Sequence, residues 1–175
     1  MEMLNVYVTN LGKYNEGYLI GEWLSLPVAE EELEECFKRI GLNEEYEEYF
    51  ITDYESEVGL KCSEYVNLEH LNKKIQELED ATKGEYEKLK AVISRDYYRE
   101  DQLDNIIETM ESDSVTFYKG ITGEEYEEDF VEGCYDLSFM KQGWLSNYIS
   151  IDYKAMAEED DAIYETDEGV LVDYR

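Results

Sequence analysis

With 175 residues, 43% of them hydrophobic and 14% aromatic, the chain can build folded cores, which separates it from disordered acidic tails. Its 45 Asp and Glu stand against 15 Lys and Arg, a formal net charge of −30, where small domains carry about 2–8 in magnitude. A field of that sign disfavours direct binding to nucleic acid or to an anionic membrane and favours a basic partner.

The excess acid is not a tail on a neutral body: it amounts to 11 charges in residues 1–61, 6 in 62–112 and 13 in 113–175. The first ten residues have neither a basic segment nor a long apolar run, so no signal peptide is read there, and no 18-residue apolar stretch points to a membrane span. Cys36, Cys62 and Cys134 are odd in number and far apart. They read as buried, reduced thiols of a cytoplasmic protein, not as a disulfide framework or a zinc knuckle.

In chain order, LNVYVTN (4–10) alternates Leu4, Val6 and Val8 on one face with polar groups and Tyr7 on the other, which predicts a strand. LGKYNEG (11–17) reads as a loop ending at Gly17. YLIGEWLSL (18–26) reads as a second strand with a candidate bulge at Gly21. Pro27, the one proline, marks the start of a helix over about Ala29 to Ile40. Leu33, Cys36, Phe37 and Ile40 form its apolar stripe, and Gly41 stands where a helix-ending glycine belongs. Glu30, Glu31, Glu32, Glu34 and Glu35 face the other way, those of the first turn favoured by the helix dipole. EYFITDYE (48–55) is expected as a third strand.

The middle changes character. Leu68, Leu71, Ile75 and Leu78 form one helical stripe, with Asn67 as its candidate cap; Tyr86, Leu89 and Ile93 form a second, and Leu103, Ile106, Ile107 and Met110 a third. Three short amphipathic helices predict a small bundle. Mixed structure then returns. VTFYKGI (115–121) is a strand candidate, and Thr122 with Glu125 makes a capping box for a helix near 123–132. LSNYISIDY (145–153) has strand character near its middle, DYKAMAEE (152–159) suits a short helix, and the last 14 residues read as a hairpin turning at Asp167–Gly169.

Catalytic signatures are absent: no nucleophile elbow, phosphate loop or HExxH stands in the sequence. The lone histidine, His70, fits a surface or capping role. A carboxylate pair of the glycosidase kind is not excluded by count, yet nothing marks two acids out of 45. The acidic stretch at 158–169 lacks the calcium-loop pattern and offers a hard cation only a weak site. No catalytic, cofactor-binding or metal residue is assigned.

What remains is the acid itself. Twice the chain surrounds a tyrosine with four glutamates, EEYEEYF at 44–50 and EEYEEDF at 124–130. A solvated face is the plain reading of such runs, and a halophile's surface the better one for this amount of acid. Core packing is the plain reading of Tyr46 and Tyr126; rings among carboxylates also offer stacking faces to a partner's arginines. Geometry sharpens the alternative. A helix over 121–133 would span roughly 20 Å and hold six acids, about one per 3.3 Å. One strand of duplex DNA carries a charge per ~3.4 Å of axis.

The segment VYVTNLGKYNEGYLIGEWLSLP (6–27) resembles the opening of the ArdA antirestriction proteins, with a strand, a Leu-x-x-Tyr-Asn-x-Gly loop and a Gly-x-Trp strand. Here those residues are Leu11, Tyr14, Asn15, Gly17, Gly21 and Trp23. The ending, IDYKAMAEEDD with GVLVDYR, resembles the family's ending, although Met156 and Glu158 stand where Tyr and Arg are frequent. The resemblance implies a DNA mimic from a mobile genetic element that occupies the DNA-binding groove of type I restriction–modification enzymes. It also implies an elongated, three-domain homodimer whose C-terminal domain makes the dimer contact, with no cofactor.

The expectation is therefore an α+β protein of three small domains: a mixed unit at 1–61, a helical bundle at 62–112 and a mixed unit at 113–175. It would be a stoichiometric inhibitor, not an enzyme. The carboxylates expected to meet the partner are Glu30, Glu31, Glu34 and Glu35 on the first helix, and Glu44, Glu45, Glu47 and Glu48 in the first echo. The later helix adds Glu124, Glu125, Glu127, Glu128, Asp129 and Glu132. The rival readings are an acidic chaperone for basic nucleic-acid-binding proteins and an enzyme built on a carboxylate pair.

Overall fold

The computed structural model describes residues 2–96, 102–140 and 142–174. The protein is α+β and divides into two compact units, Met1–Glu111 and Ser112–Arg175, each with a three-stranded antiparallel sheet. The expected boundary at 112/113 lies beside that division. The one at 61/62 falls inside the first unit.

In the first unit β1 (Leu4–Asn10) is central, flanked by β2 (Gly21–Leu26) and β3 (Tyr49–Glu55). The register sets Leu4 opposite Leu26 and Val6 opposite Leu24, so the alternating apolar residues of two strands converge on one face and are buried there. Helix α2 (Glu30–Arg39) adds Leu33 and Cys36, with Ile40 at its cap. Burying each large aliphatic side chain contributes about 1.5–3 kcal/mol. Gly41, at φ 80°, ends the helix as its position predicts: its N–H donates to the Lys38 carbonyl at 3.1 Å, and the Leu42 N–H to that of Phe37 at 2.9 Å.

Two details differ from the sequence reading. LGKYN is a short helix, α1 (Leu11–Asn15), not a loop. The buried Asn10 carboxamide makes it so, accepting the Lys13 N–H at 2.9 Å and donating to the Ile40 carbonyl at 3.1 Å. Gly21 is not a bulge. Its register with β1 is unbroken from Leu4–Leu26 to Thr9–Gly21, and the irregularity lies between Tyr7 and Val8 against β3. Gly21 is small for another reason. The Tyr7 ring lies over it, and a Cβ would stand 2.7 Å from that ring and 2.6 Å from the Val8 carbonyl oxygen.

Helices α3 (Leu68–Thr82), α4 (Tyr86–Asp96) and α5 (Leu103–Glu111) follow. Their predicted stripes are buried at Leu68, Leu71, Ile75, Leu78, Leu89, Ile93, Leu103, Ile106 and Met110. Asn67 caps α3 by accepting the His70 N–H at 2.8 Å, which leaves His70 exposed on the first turn. The buried Lys88 ammonium donates to the Met110 carbonyl at 3.4 Å, at the helix end where a cation is favoured.

Asn72 joins α3 to the segment after β2: its carboxamide accepts the Val28 N–H and donates to the Val28 carbonyl, both at 2.8 Å. Asn72→Ala strands a donor and an acceptor in a part-buried site. The expected loss is about 1–3 kcal/mol, read as a lower denaturation midpoint of the first unit.

In the second unit β6 (Gly169–Asp173) is central, between β4 (Val115–Lys119) and β5 (Ile163–Thr166), with the predicted hairpin joining β5 to β6. Helix α6 (Gly123–Cys134) lays Tyr126 on Val170 and Val172, with Ile121 and Ile163 at the margin. Helix α7 (Tyr153–Glu159) is capped by Asp152, which accepts the Ala155 N–H at 3.0 Å. The strand expected within 145–153 does not form. Trp144–Asn147 makes a 3-10 turn, and residues 146–150 are exposed with no neighbouring strand among the described residues to complete a ladder. The cysteines are free, as expected, but only Cys36 is buried; Cys134 is exposed on α6, and Cys62 lies between these extremes. Burial, together with the Glu22 carboxylate, pushes the Cys36 thiol up to about 12, so it is inert at neutral pH.

Candidate functional site

The two echoes fold differently although their sequences nearly coincide. The first is a turn. The Asn43 side chain accepts the Glu45 and Tyr46 N–H groups at 2.8 and 3.2 Å and bends the chain ahead of β3. The Tyr46 ring is then held against Gly12, with the Lys13 ammonium 3.8 Å from its centroid. Its hydroxyl donates to the Glu16 carboxylate at 2.6 Å, and Lys13 pairs with Glu16 at 3.0 Å. Tyr46, then Lys13, hold Glu16 below the usual carboxylate range. This knot pins one ring of the loop. Glu44, Glu45, Glu47 and Glu48 stay exposed, and none is ion-paired among the described residues.

On α2 the acids are partly balanced. Arg39 grips Glu22 of β2 with two nitrogens, at 2.7 and 3.0 Å, and reaches Glu32 at 2.6 Å and Glu35 at 3.5 Å. Its hydrogen bond holds the Glu22 carboxyl below its ordinary value. Lys38 stands 3.7 Å from Glu34. Glu30 and Glu31, on the first turn, have no such partner among the described residues and are exposed. Of the four α2 candidates, two carry free charge and two share it with a cation.

The second echo is helical. The capping box predicted from Thr122 and Glu125 is present: Thr122 Oγ1 accepts the Glu125 N–H at 3.2 Å, and the Glu125 carboxylate accepts the Thr122 N–H at 2.9 Å. Glu125 is exposed but committed to the cap. Sequence reasoning missed a second carboxylate at this helix end. Glu165, on β5, accepts the Gly123 N–H at 2.9 Å, a contact made through the fold, with no signal in the local sequence. Glu124, Glu128, Asp129 and Glu132 are exposed.

Glu127 departs from the expected acidic surface. It is 4% exposed, on the inner face of α6 with Gly123 and Val131. Its spacing carried the signal, because four residues from Gly123 and four from Val131 puts it on the inward stripe. Burial, with Asp160 adding like-charge repulsion, raises its pKa. A carboxyl raised on folding binds its proton more tightly in the folded chain. Its contribution to stability is therefore full below the unfolded value and falls as pH rises through the folded one. Glu127→Gln is expected to raise the melting temperature of the second unit at neutral pH, with the gain vanishing near about pH 4. Melts at both pH values read this directly.

Thirteen of the fourteen candidate carboxylates are thus exposed, eight on the first unit and five on the second. Among the described residues no group of His, Cys, Asp and Glu has the arrangement of a metal site. No helix of the described chain is long and apolar enough to cross a membrane. The family model described as Antirestriction protein (ArdA) matches residues 6–172. The chain belongs to the ArdA antirestriction family. No curated protein matches it.

For an ArdA protein the opening motif now has physical content in this fold. Gly17, at φ 90°, closes α1. Tyr14 meets Phe50 edge-on at 5.1 Å, and Trp23 meets the Tyr7 ring at 5.4 Å. Gly12, between motif positions, leaves room for Tyr46 and so ties the motif to the first acidic echo. The ArdA family match also makes this an antirestriction protein, an inhibitor of restriction–modification systems.

Proposed function

We propose that this ArdA protein is a DNA mimic that occupies the DNA-binding groove of a type I restriction–modification enzyme and competes with DNA there, without catalysis. The observation that supports it most is the charge spacing on α6. With Glu127 turned inward, five exposed acids remain on a helix of 12 residues. The helix is about 18 Å long, which is about one charge per 3.6 Å. A phosphate strand carries one per ~3.4 Å.

The elongated three-part layout, divided at 61/62 and 112/113, belongs to the same proposal, as does a homodimer in the cytoplasm. Support for the dimer comes from the second unit, where Tyr135, Phe139, Trp144 and Tyr148 are exposed, up to 78% at Tyr148. Exposed apolar side chains gathered in one segment seek cover.

The test is a type I cleavage assay titrated with the protein, with and without excess non-specific DNA, at several salt concentrations. Competition predicts that DNA relieves the inhibition and that salt weakens it. Inhibition unaffected by DNA would sink the mimic. Equal binding to unrelated basic proteins would instead favour the acidic chaperone.

A further inference from the structure

Helices α2 and α3 pack against the first unit's sheet through its strands' apolar side; the other face is exposed around Trp23, Asp53 and Glu55, while at its far end Thr9 and Phe50 are buried beneath α1 and the Tyr14 and Tyr65 rings. The register composes that face in three rows across the strands: Ser25, Asn5 and Glu55; Trp23, Tyr7 and Asp53; Gly21, Thr9 and Phe50. No lysine or arginine stands in any row. Asp53 and Glu55 are exposed and take no part in an ion pair among the described residues.

The rings on this face are large and wet. Trp23 is 42% exposed while touching Tyr7 at 72° between planes. Tyr14 and Tyr65 flank Phe50, and Tyr65, stacked on it at 6.2 Å, is 72% exposed. Burying this surface under an apolar partner would bury two unpaired carboxylates with it, at a cost no ring contact returns. A nucleic acid would meet the chain's negative field. A cation with a flat, weakly hydrated face satisfies both parts of the surface, and arginine is that cation.

We propose that this open sheet face binds an arginine-bearing segment of the basic protein partner. Guanidinium groups stack on Trp23 and on the Tyr14–Tyr65 rings while Asp53 and Glu55 accept their N–H groups. The inference rests on the partner being a basic protein, as the proposed function has it, and adds that recognition here selects arginine over lysine.

The experiment uses the full chain with Trp144→Phe, which leaves Trp23 as the only tryptophan. Its fluorescence is followed while oligoarginine and oligolysine peptides of equal length are added at equal salt. The expected result is quenching of Trp23 and binding of oligoarginine about three- to tenfold tighter than oligolysine. Tyr14→Ala with Tyr65→Ala removes the two rings that pack on Phe50; with its fold verified by circular dichroism, it is expected to reduce that preference while oligolysine binding stays unchanged. Trp23→Ala, followed by peptide-induced chemical shifts, is expected to reduce it further, and Trp23→Phe to restore part of it. Equal affinity for the two peptides, or a preference that survives loss of all three rings, overturns the proposal. The peptide result is independent of restriction inhibition: a protein that selects arginine but leaves the cleavage assay untouched would sink the mimic and keep this face.

Discussion

Under the proposed mimicry, replacing Glu124, Glu128, Asp129 and Glu132 together by their amides is expected to weaken inhibition of a type I restriction enzyme by about ten- to a hundredfold. Each exposed charge pair is worth only about a two- to threefold change, so a single replacement should be hard to see and four should be plain. Glu125 is left in place because its carboxylate accepts the Thr122 N–H and holds the helix start. Glu127 is left because it is buried. The variant keeps the cap and the inner face of α6, so circular dichroism should not change. The measurement is the inhibition constant across salt: the variant should show both a higher constant and a shallower dependence on salt. Unaltered inhibition would remove α6 from the partner surface. The same block at Glu44, Glu45, Glu47 and Glu48 would then be the informative one, since the Asn43 turn and the Tyr46 knot do not use those carboxylates.

Gly169→Ala should unfold the second unit or bring it close to unfolding. Gly169 has φ 152°, a backbone conformation side chains rarely adopt, at the first residue of β6. It pairs directly with Lys119, and a Cβ there would collide with the Tyr118 carbonyl oxygen and stand 2.9 Å from the Lys119 Cα. Both obstacles are backbone of the neighbouring strand, so neither can rotate away. The expected loss is about 2–4 kcal/mol, at the upper end of overpacking because strain and collision coincide. Trp144 lies in the second unit and Trp23 in the first, so single-tryptophan variants can follow each separately. The Trp144 transition should move to lower denaturant. An unchanged Trp144 transition would show that the hairpin yields more easily than this geometry allows.

Much of the architecture was legible where periodicity and punctuation agree. The helical stripes of the middle segment, the Asn67 cap, the capping box at Thr122, the glycine end at Gly41 and the closing hairpin all rest on contacts within a few residues. Local sequence is enough to specify those. The misses share a cause. LGKYN looks like a loop until the Asn10 side chain, anchored to Ile40, caps it. The apolar run near Tyr148 has strand composition but, among the described residues, no strand to pair with. Gly21 suggests a bulge, yet it is small because the Tyr7 ring lies over it.

The candidate surface was legible in the same uneven way. That it is acid was plain from composition, and thirteen of fourteen carboxylates are exposed because charge resists burial. How much of that charge is free was not plain. Arg39 draws on Glu22, Glu32 and Glu35 at once, and Glu125 and Glu165 serve the start of α6.

By itself the sequence determined the charge, the helical stripes and the family. These depend on composition and on spacing along the chain. Tertiary structure alone decided that LGKYN becomes a helix, that the tyrosine ring of the first echo is pinned beside that helix, and that Glu165 serves the start of the second. It also decided that the opening motif leaves an aromatic face open to solvent. Those outcomes depend on side chains brought together from distant positions, Asn10 with Ile40, Tyr46 with Gly12 and Gly123 with Glu165, and no local pattern encodes such meetings.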